Sequence, residues 1–131
     1  MIYLDTHVVV WLYAGRPDLL PSGARALIDA NDLLVSPIVA LELQYLRETG
    51  RTNEPAAPVL ELLARQIGLQ RCDLPFADVV DASLQESWTR DPFDRLIVAH
   101  ARLRGVPLLT KDRNIHEHFD EAIWTHDDPA G

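Results

Sequence analysis

A single cysteine, Cys72, stands in the 131 residues. It cannot close an internal disulfide, a usage that fits a reducing cytosol. No apolar stretch approaches the ~18 residues needed to span a bilayer, so no membrane association is expected. The N-terminus shows neither a basic n-region nor a small-residue cleavage site, and the expected location is cytoplasmic. There is no glycine-rich phosphate loop. Ser36 and Ser83 have no triad context, and Cys72 reads as packing rather than as a nucleophile. The five histidines form no zinc set. His7 precedes a buried helix and His100 falls mid-helix, while His116, His118 and His126 lie in a polar C-terminal region without a third ligand at helical or hairpin spacing.

Positive charge is scarce as well. The net charge is −8, the wrong sign for a protein that mainly coats nucleic acid. The excess is either a solubility device or is concentrated in a pocket that takes a cation. Of the 12 basic residues 11 are arginine, which suits bidentate contact with phosphate or carboxylate, so a local phosphate-binding rim is compatible with the total. What is abundant is apolar surface: 47% of the chain is hydrophobic, enough for one well-packed domain and too much for disorder.

Strand and helix signals alternate along the whole length. Residues 2–5 read as a strand buried on both faces, followed by a helix over roughly 7–14 that Gly15 and Pro17 close. Pro21-Ser22 opens a helix through Ala30, and 32–35 is a short apolar strand. Ser36-Pro37 starts a helix that runs to about Thr49 and stops at Gly50. Residues 52–58 read as a loop, 59–67 as a helix ended by Gly68, 69–74 as a weaker strand and 76–88 as a helix. Asp91-Pro92 opens a helix to Arg104 that stops at Gly105. Strands follow at 106–110 and 122–124, and the tail from about 126 is polar. Such alternation predicts one α/β domain with a mostly parallel sheet covered on both faces.

Against that frame, four carboxylates stand where structure alone does not call for them. Asp5 lies at the carboxyl end of the first strand, where open α/β sheets bind ligands. Glu42 falls within the apolar arc of its helix, flanked by Ile38, Val39, Tyr45 and Leu46. An ionised carboxylate there costs several kcal/mol unless it is paired or metal-bound. It is therefore either a core acid paired with a buried arginine or part of a site. Asp91 and Asp94 both suit the start of a helix as cap and first-turn acid. Asp94 also shares its face with Ile97, Val98 and Ala101, so one acid can cap while the other points inward. Asp112 follows the strand 106–110 by two residues, as a turn former or as a further ligand. Charges converging at ~5 Å repel by ~3 kcal/mol per pair at an effective dielectric of ~20. Convergence of these four would call for a cation, and oxygen-only ligation points to Mg²⁺ or Mn²⁺ acting on phosphate esters.

With those residues in place, the chain resembles the PIN-domain ribonucleases, in particular the VapC-type toxins of prokaryotic toxin–antitoxin pairs. The resemblance spans nearly the whole length. It rests on Leu4-Asp5-Thr6-His7 with Trp11-Leu12, on Ser36-Pro37 with Glu42 and Gly50-Arg51, on Asp91-Pro92-Phe93-Asp94-Arg95 with Ala99 and Ala101, and on Leu109-Thr110-Lys111-Asp112. It implies a single PIN domain over 1–131, a three-layer α/β/α fold with a five-stranded, mostly parallel sheet. It further implies an endoribonuclease that cleaves phosphodiester bonds with a metal-activated water. Asp5, Asp94 and Asp112 would hold Mg²⁺ or Mn²⁺, with Glu42 ligating or orienting the water. Asp91 is an accessory acid, and Thr6 and Thr110 are hydrogen-bond donors to the carboxylates. Arg95, Lys111 and Arg113 are candidate contacts to the RNA. The implied partners are RNA, a VapB-like antitoxin and a second copy of the chain. One departure stands out: Thr89 precedes Arg90 where relatives often carry histidine, which bears on a substrate contact.

Two alternatives follow. A catalytically silent PIN-like scaffold would hold RNA or protein without cutting, and the complete acid set argues against it. A receiver-type phosphoacceptor needs adjacent acids after the first strand, whereas Thr6 follows Asp5 here.

Overall fold

The computed structural model describes residues 1–125; the polar tail read from 126 lies outside the described residues. Five strands form one sheet, with ladders at β1 (Ile2–Leu4), β2 (Leu33–Val35), β3 (Gln70–Arg71), β4 (Leu108–Leu109) and β5 (Ala122–Ile123). The order is β3-β2-β1-β4-β5 and every pairing is parallel. The central strands are buried on both faces, from Ile2, Tyr3 and Leu4 through Leu33 to Val35 and Leu108-Leu109. That is why they read as continuous apolar runs rather than as alternation.

The connecting helices are α1 (Thr6–Tyr13), α2 (Ser22–Ala30), α3 (Ile38–Glu48), α4 (Ala56–Ile67), α5 (Phe76–Ser83), α6 (Pro92–Arg104) and α7 (Arg113–His118). They flank the sheet as the outer layers of a three-layer α/β/α sandwich, as expected. Gly68 and Gly105 end α4 and α6 in the left-handed region, at φ 71° and 75°, where glycine carries no Cβ penalty. Ser36 sits one residue further from its helix than expected, since α3 begins at Ile38. Its hydroxyl still accepts from the Ile38 N–H at 3.3 Å.

Helix α4 starts at Ala56, inside the stretch read as a loop, and three further elements differ from the sequence reading. The strand expected over 69–74 pairs only at Gln70 and Arg71, both exposed. As the sheet edge it has one neighbour, and an arginine blunts its free side. The helix expected over 76–88 stops at Ser83, whose hydroxyl turns back to the Val80 carbonyl at 2.6 Å. Beyond that stop, Glu86 is buried, with 3% exposure, between Arg102 (Nε–Oε1 2.7 Å) and the Trp88 indole N–H (2.8 Å). The third difference is α7, a six-residue helix not expected in the polar segment after 112. It forms because Asp112 caps it, accepting from the Ile115 N–H at 3.0 Å, while Ile115 and Phe119 pack into the core.

The topology fixes where a ligand binds. From β1 the chain moves outward to β2 and β3, then returns across the sheet to place β4 on the other side of β1. The switch point therefore lies between β1 and β4, and the crevice beyond their carboxyl ends is the preferred ligand site of such sheets. Asp5 and Asp112 leave the sheet at those two ends.

Candidate active site

A cleft of about 370 Å³ opens at the switch point, and Asp5, Glu42, Asp91, Asp94 and Asp112 all line it, together with Thr6. The elements bring in each acid by a different route. Asp5 ends β1 and caps α1: one oxygen accepts from the Thr6 N–H at 2.7 Å and the other from the Thr110 hydroxyl at 2.6 Å. Asp112 caps α7, and its own N–H donates to the same Thr110 hydroxyl at 3.0 Å. Asp91 caps α6 by accepting from the Phe93 and Asp94 N–H groups, which bears out the capping role expected of it. Three of the five charges thus sit on helix N-termini, where backbone dipoles favour negative charge.

The other two cap no helix, although Asp94 still shares the dipole of α6. Asp94 lies in the first turn of α6 and its carboxyl group is pushed up to about 8. Burial is the main cause, followed by repulsion from Asp91, Asp5, Asp112 and Glu42. Glu42 projects from the middle of α3 and is pushed up to about 7. Burial dominates again, the Thr6 hydroxyl pulls it down, and Asp5 and Asp91 add repulsion. Thr6 donates to Glu42 Oε1 at 2.5 Å, the one hydrogen bond on this carboxyl group among the described residues. The arginine partner that would have made Glu42 an ordinary core acid is not there: among the described residues no ion pair involves Glu42 or Asp94. Glu86 provides the contrast, a buried acid that does have its arginine. The surroundings of Glu42 are also less apolar than its helix wheel suggests, because Leu41 and Tyr45 are 58% and 46% exposed.

His7 and Trp11 form the remaining wall with Arg51 and Thr52. The Lys111 backbone N–H donates to His7 Nε2 at 2.9 Å, which puts the imidazole proton on Nδ1, 3.6 Å from Asp5. Burial holds the His7 pKa below its ordinary value, against the pull of Asp5 and Asp112. Thr52 Oγ1 is buried in this wall with no hydrogen-bond partner among the described residues. In the sequence His7, Trp11 and Arg51 stand only as motif residues without a site role and Thr52 only as the start of a loop, because the fold alone brings all four to the lining of one cleft with Asp5.

The donor set fits a hard divalent cation: oxygen ligands only, net negative, with two carboxyl groups raised by burial first and by repulsion from neighbouring acids second. As they stand, no group of three or more His, Cys, Asp or Glu side chains among the described residues is gathered tightly enough to hold an ion. Asp91 and Asp112 are instead drawn onto backbone donors of their own helices, and Asp5 and Glu42 onto the hydroxyls of Thr110 and Thr6. Of the three expected RNA contacts, none lines the cleft. Arg95 Nε is engaged by the Thr89 carbonyl at 2.8 Å, and Lys111 and Arg113 line a neighbouring groove.

The PIN domain family model matches residues 2–121. The chain is 34% identical over 123 residues to Ribonuclease VapC22 of Mycobacterium tuberculosis, covering 89% of this chain and 91% of that protein. Its fold is similar to that of VapBC2 from Rickettsia felis, solved bound to a DNA fragment from their promoter. The TM-score is 0.67 at 23% identity, covering 93% of this chain and 96% of that one. VapBC-1 from nontypeable Haemophilus influenzae gives 0.65 at 20% identity, covering 96% and 98%. At those identities the two structures speak to the fold.

Proposed function

This chain belongs to the PIN-domain family, among the VapC ribonucleases, and from that premise we propose that it is a Mg²⁺- or Mn²⁺-dependent endoribonuclease, the toxin of a toxin–antitoxin pair. We read residues 1–131 as one PIN domain. The observation that carries the proposal is the acidic cleft at the β1/β4 switch point, whose unpaired Glu42 and Asp94 are raised to about 7 and about 8. Uncompensated carboxylates in such a place are the mark of a functional site rather than of stability.

Asp5, Asp94 and Asp112 would hold the ion, with Glu42 beside them. When bound, it supplies positive charge at the scissile phosphate and a lowered pKa for water. The protein's own groups do the rest. Thr110 and the Thr6 N–H fix both oxygens of Asp5, so its orientation is set before a ligand arrives. Thr6 fixes Glu42 through Oε1, and Oε2 then orients the attacking water and takes its proton. The water oxygen bonds to phosphorus as its proton passes to Glu42, and the bond to one ribose oxygen breaks, that oxygen leaving as an alkoxide that takes a proton from solvent.

For partners, the net charge of −8 suits an antitoxin with a basic segment directed at the cleft. Exposed Leu41 and Tyr45 on α3, the latter beside Phe93 at 5.8 Å, offer apolar surface to the antitoxin or to a second copy. No helix of the described residues is long and apolar enough to cross a membrane. The test is to sequence RNA 5′ ends after inducing the wild type and Asp5→Asn. New ends at defined positions with the wild type alone support the nuclease, whereas identical ends leave only the silent scaffold.

A further inference from the structure

Helix α7 cannot stand on its own. It has six residues, well short of the ~12–15 at which an isolated helix becomes marginally stable. Yet its cap is Asp112, one of the acids lining the cleft. Its N-terminal end is held by that cap, and its inner face by Ile115 and Phe119. The C-terminal end is held from outside. The Arg102 guanidinium donates to the His118 carbonyl at 3.1 Å. The His118 ring lies flat against Trp88, with centroids 5.0 Å apart and planes 6° from parallel. The other ring pairs among the described residues meet at 36° to 67°.

Both rings are tethered within their own segments. His118 Nδ1 donates to the Asn114 carbonyl one turn back at 2.8 Å. The Trp88 indole N–H donates to buried Glu86 at 2.8 Å. Trp88 belongs to the 84–91 stretch that joins α5 to α6, and the residue after it is stitched to the start of α6. The Thr89 hydroxyl accepts from the Asp91 N–H at 3.1 Å, and the Thr89 carbonyl accepts from Arg95 Nε at 2.8 Å. Asp91 and Asp94 come next along the chain, both on the cleft lining. The stack therefore joins the segment that leads into Asp91 and Asp94 to the helix that Asp112 caps. It does so from outside, since neither ring is on the cleft lining.

Resting on the reading of the cleft as a divalent-ion site, we infer that the Trp88–His118 stack is a spacer that sets how far Asp112 stands from Asp91 and Asp94. Both rings are positioning residues for the ion and touch neither it nor the substrate. Carboxylates that repel one another push their supporting elements apart. Strand β4 restrains α7 only at its start, so without a tie at the far end the short helix would swing Asp112 outward. Mg²⁺ tolerates little of this, because it takes oxygen ligands in a near-ideal octahedron at ~2.0–2.1 Å. Stacked rings resist approach beyond van der Waals contact and, with both rings tethered, resist separation too.

The test reads ion binding without RNA or turnover. Full-length protein is titrated with Mn²⁺, and the free ion is followed by its electron paramagnetic resonance signal. His118→Ala should weaken binding about tenfold, the scale of a lost supporting contact behind a ligand. Trp88→Leu should do the same, and the double variant should be little worse than either, because both remove one stack. His118→Phe and Trp88→Phe keep a flat ring and should restore most of the affinity. Ile28→Ala trims the core on α2 and should lower the melting temperature while binding Mn²⁺ as the wild type does. That control separates a weakened fold from misplaced ligands. Unchanged affinity in His118→Ala and Trp88→Leu, or folded Phe variants as weak as these truncations, overturns the inference and leaves the ion-site reading standing. So does an Ile28→Ala protein that loses as much affinity as the stack variants. A wild type that binds no Mn²⁺ overturns both.

Discussion

Replacing Asp94 by asparagine should make the metal-free protein more stable while removing its activity. The carboxyl group of Asp94 is raised from 3.8 to about 8 by burial and by four neighbouring acids. In the unfolded chain it ionises near its ordinary value. Between about pH 4 and pH 8 the folded state therefore binds more protons than the unfolded state, and stability falls as pH rises through that window. At ~1.4 kcal/mol per unit the shift sets a ceiling of about 6 kcal/mol. The cleft is open and the group can relax toward water, so about 2 kcal/mol is the figure to expect at pH 9. Asparagine keeps the shape without the charge. The assay is urea unfolding in EDTA at pH 5, 7 and 9, followed by the fluorescence of Trp11, Trp88 and Trp124. Wild type and Asp94→Asn should be similar at pH 5 and separate in favour of the variant by pH 9. A variant that is equally or less stable at pH 9 than the wild type would refute the assignment of Asp94 to an uncompensated acidic cluster. The residual decline of the variant, between about pH 4.5 and 7, would belong to Glu42.

Other expectations follow from the same geometry. Mn²⁺ should raise the melting temperature of the wild type in a concentration-dependent manner, more at pH 8 than at pH 5, and Asp94→Asn should lose most of that response in differential scanning fluorimetry. Thr110→Val strips the hydroxyl that donates to Asp5 and accepts from the Asp112 N–H. It should cost about 2 kcal/mol in urea unfolding and lower cleavage together with it. Arg102→Ala leaves Glu86 buried without its ion partner. It should destabilise by about 2 kcal/mol, since Arg102 is itself half-exposed, yet leave kcat unchanged below the new melting temperature.

The acids of the cleft were legible in the sequence because each breaks a local rule at a recognisable place. Asp5 and Asp112 follow apolar strands, Asp94 shares a helix face with Ile97 and Val98, and Glu42 interrupts an apolar arc. Their partners were partly legible too: Thr6 and Thr110 stand next to the strand ends and do donate to Glu42 and Asp5. What could not be read depends on distant meetings. Glu86 looks like any surface acid until Arg102 arrives from α6. The Trp11 and Trp124 rings meet at 6.0 Å although almost the entire chain separates them. Strand β3 is two exposed residues whose pairing is set by β2, not by their own pattern. Helix α7 is too short and polar to show periodicity, and its existence rests on one cap and two buried side chains. The expected end of α5 failed for a similar reason, since a single serine hydroxyl turns the helix off before its apolar spacing runs out.

The central claim is that the cleft acids hold a divalent ion and cut RNA. Its most direct test is cleavage of a structured RNA by the purified protein with Mn²⁺, run beside Asp5→Asn and beside the wild type in EDTA. Defined fragments from the wild type with Mn²⁺ alone are the predicted result. Equal cleavage by Asp5→Asn, or cleavage undiminished by EDTA, would contradict the claim.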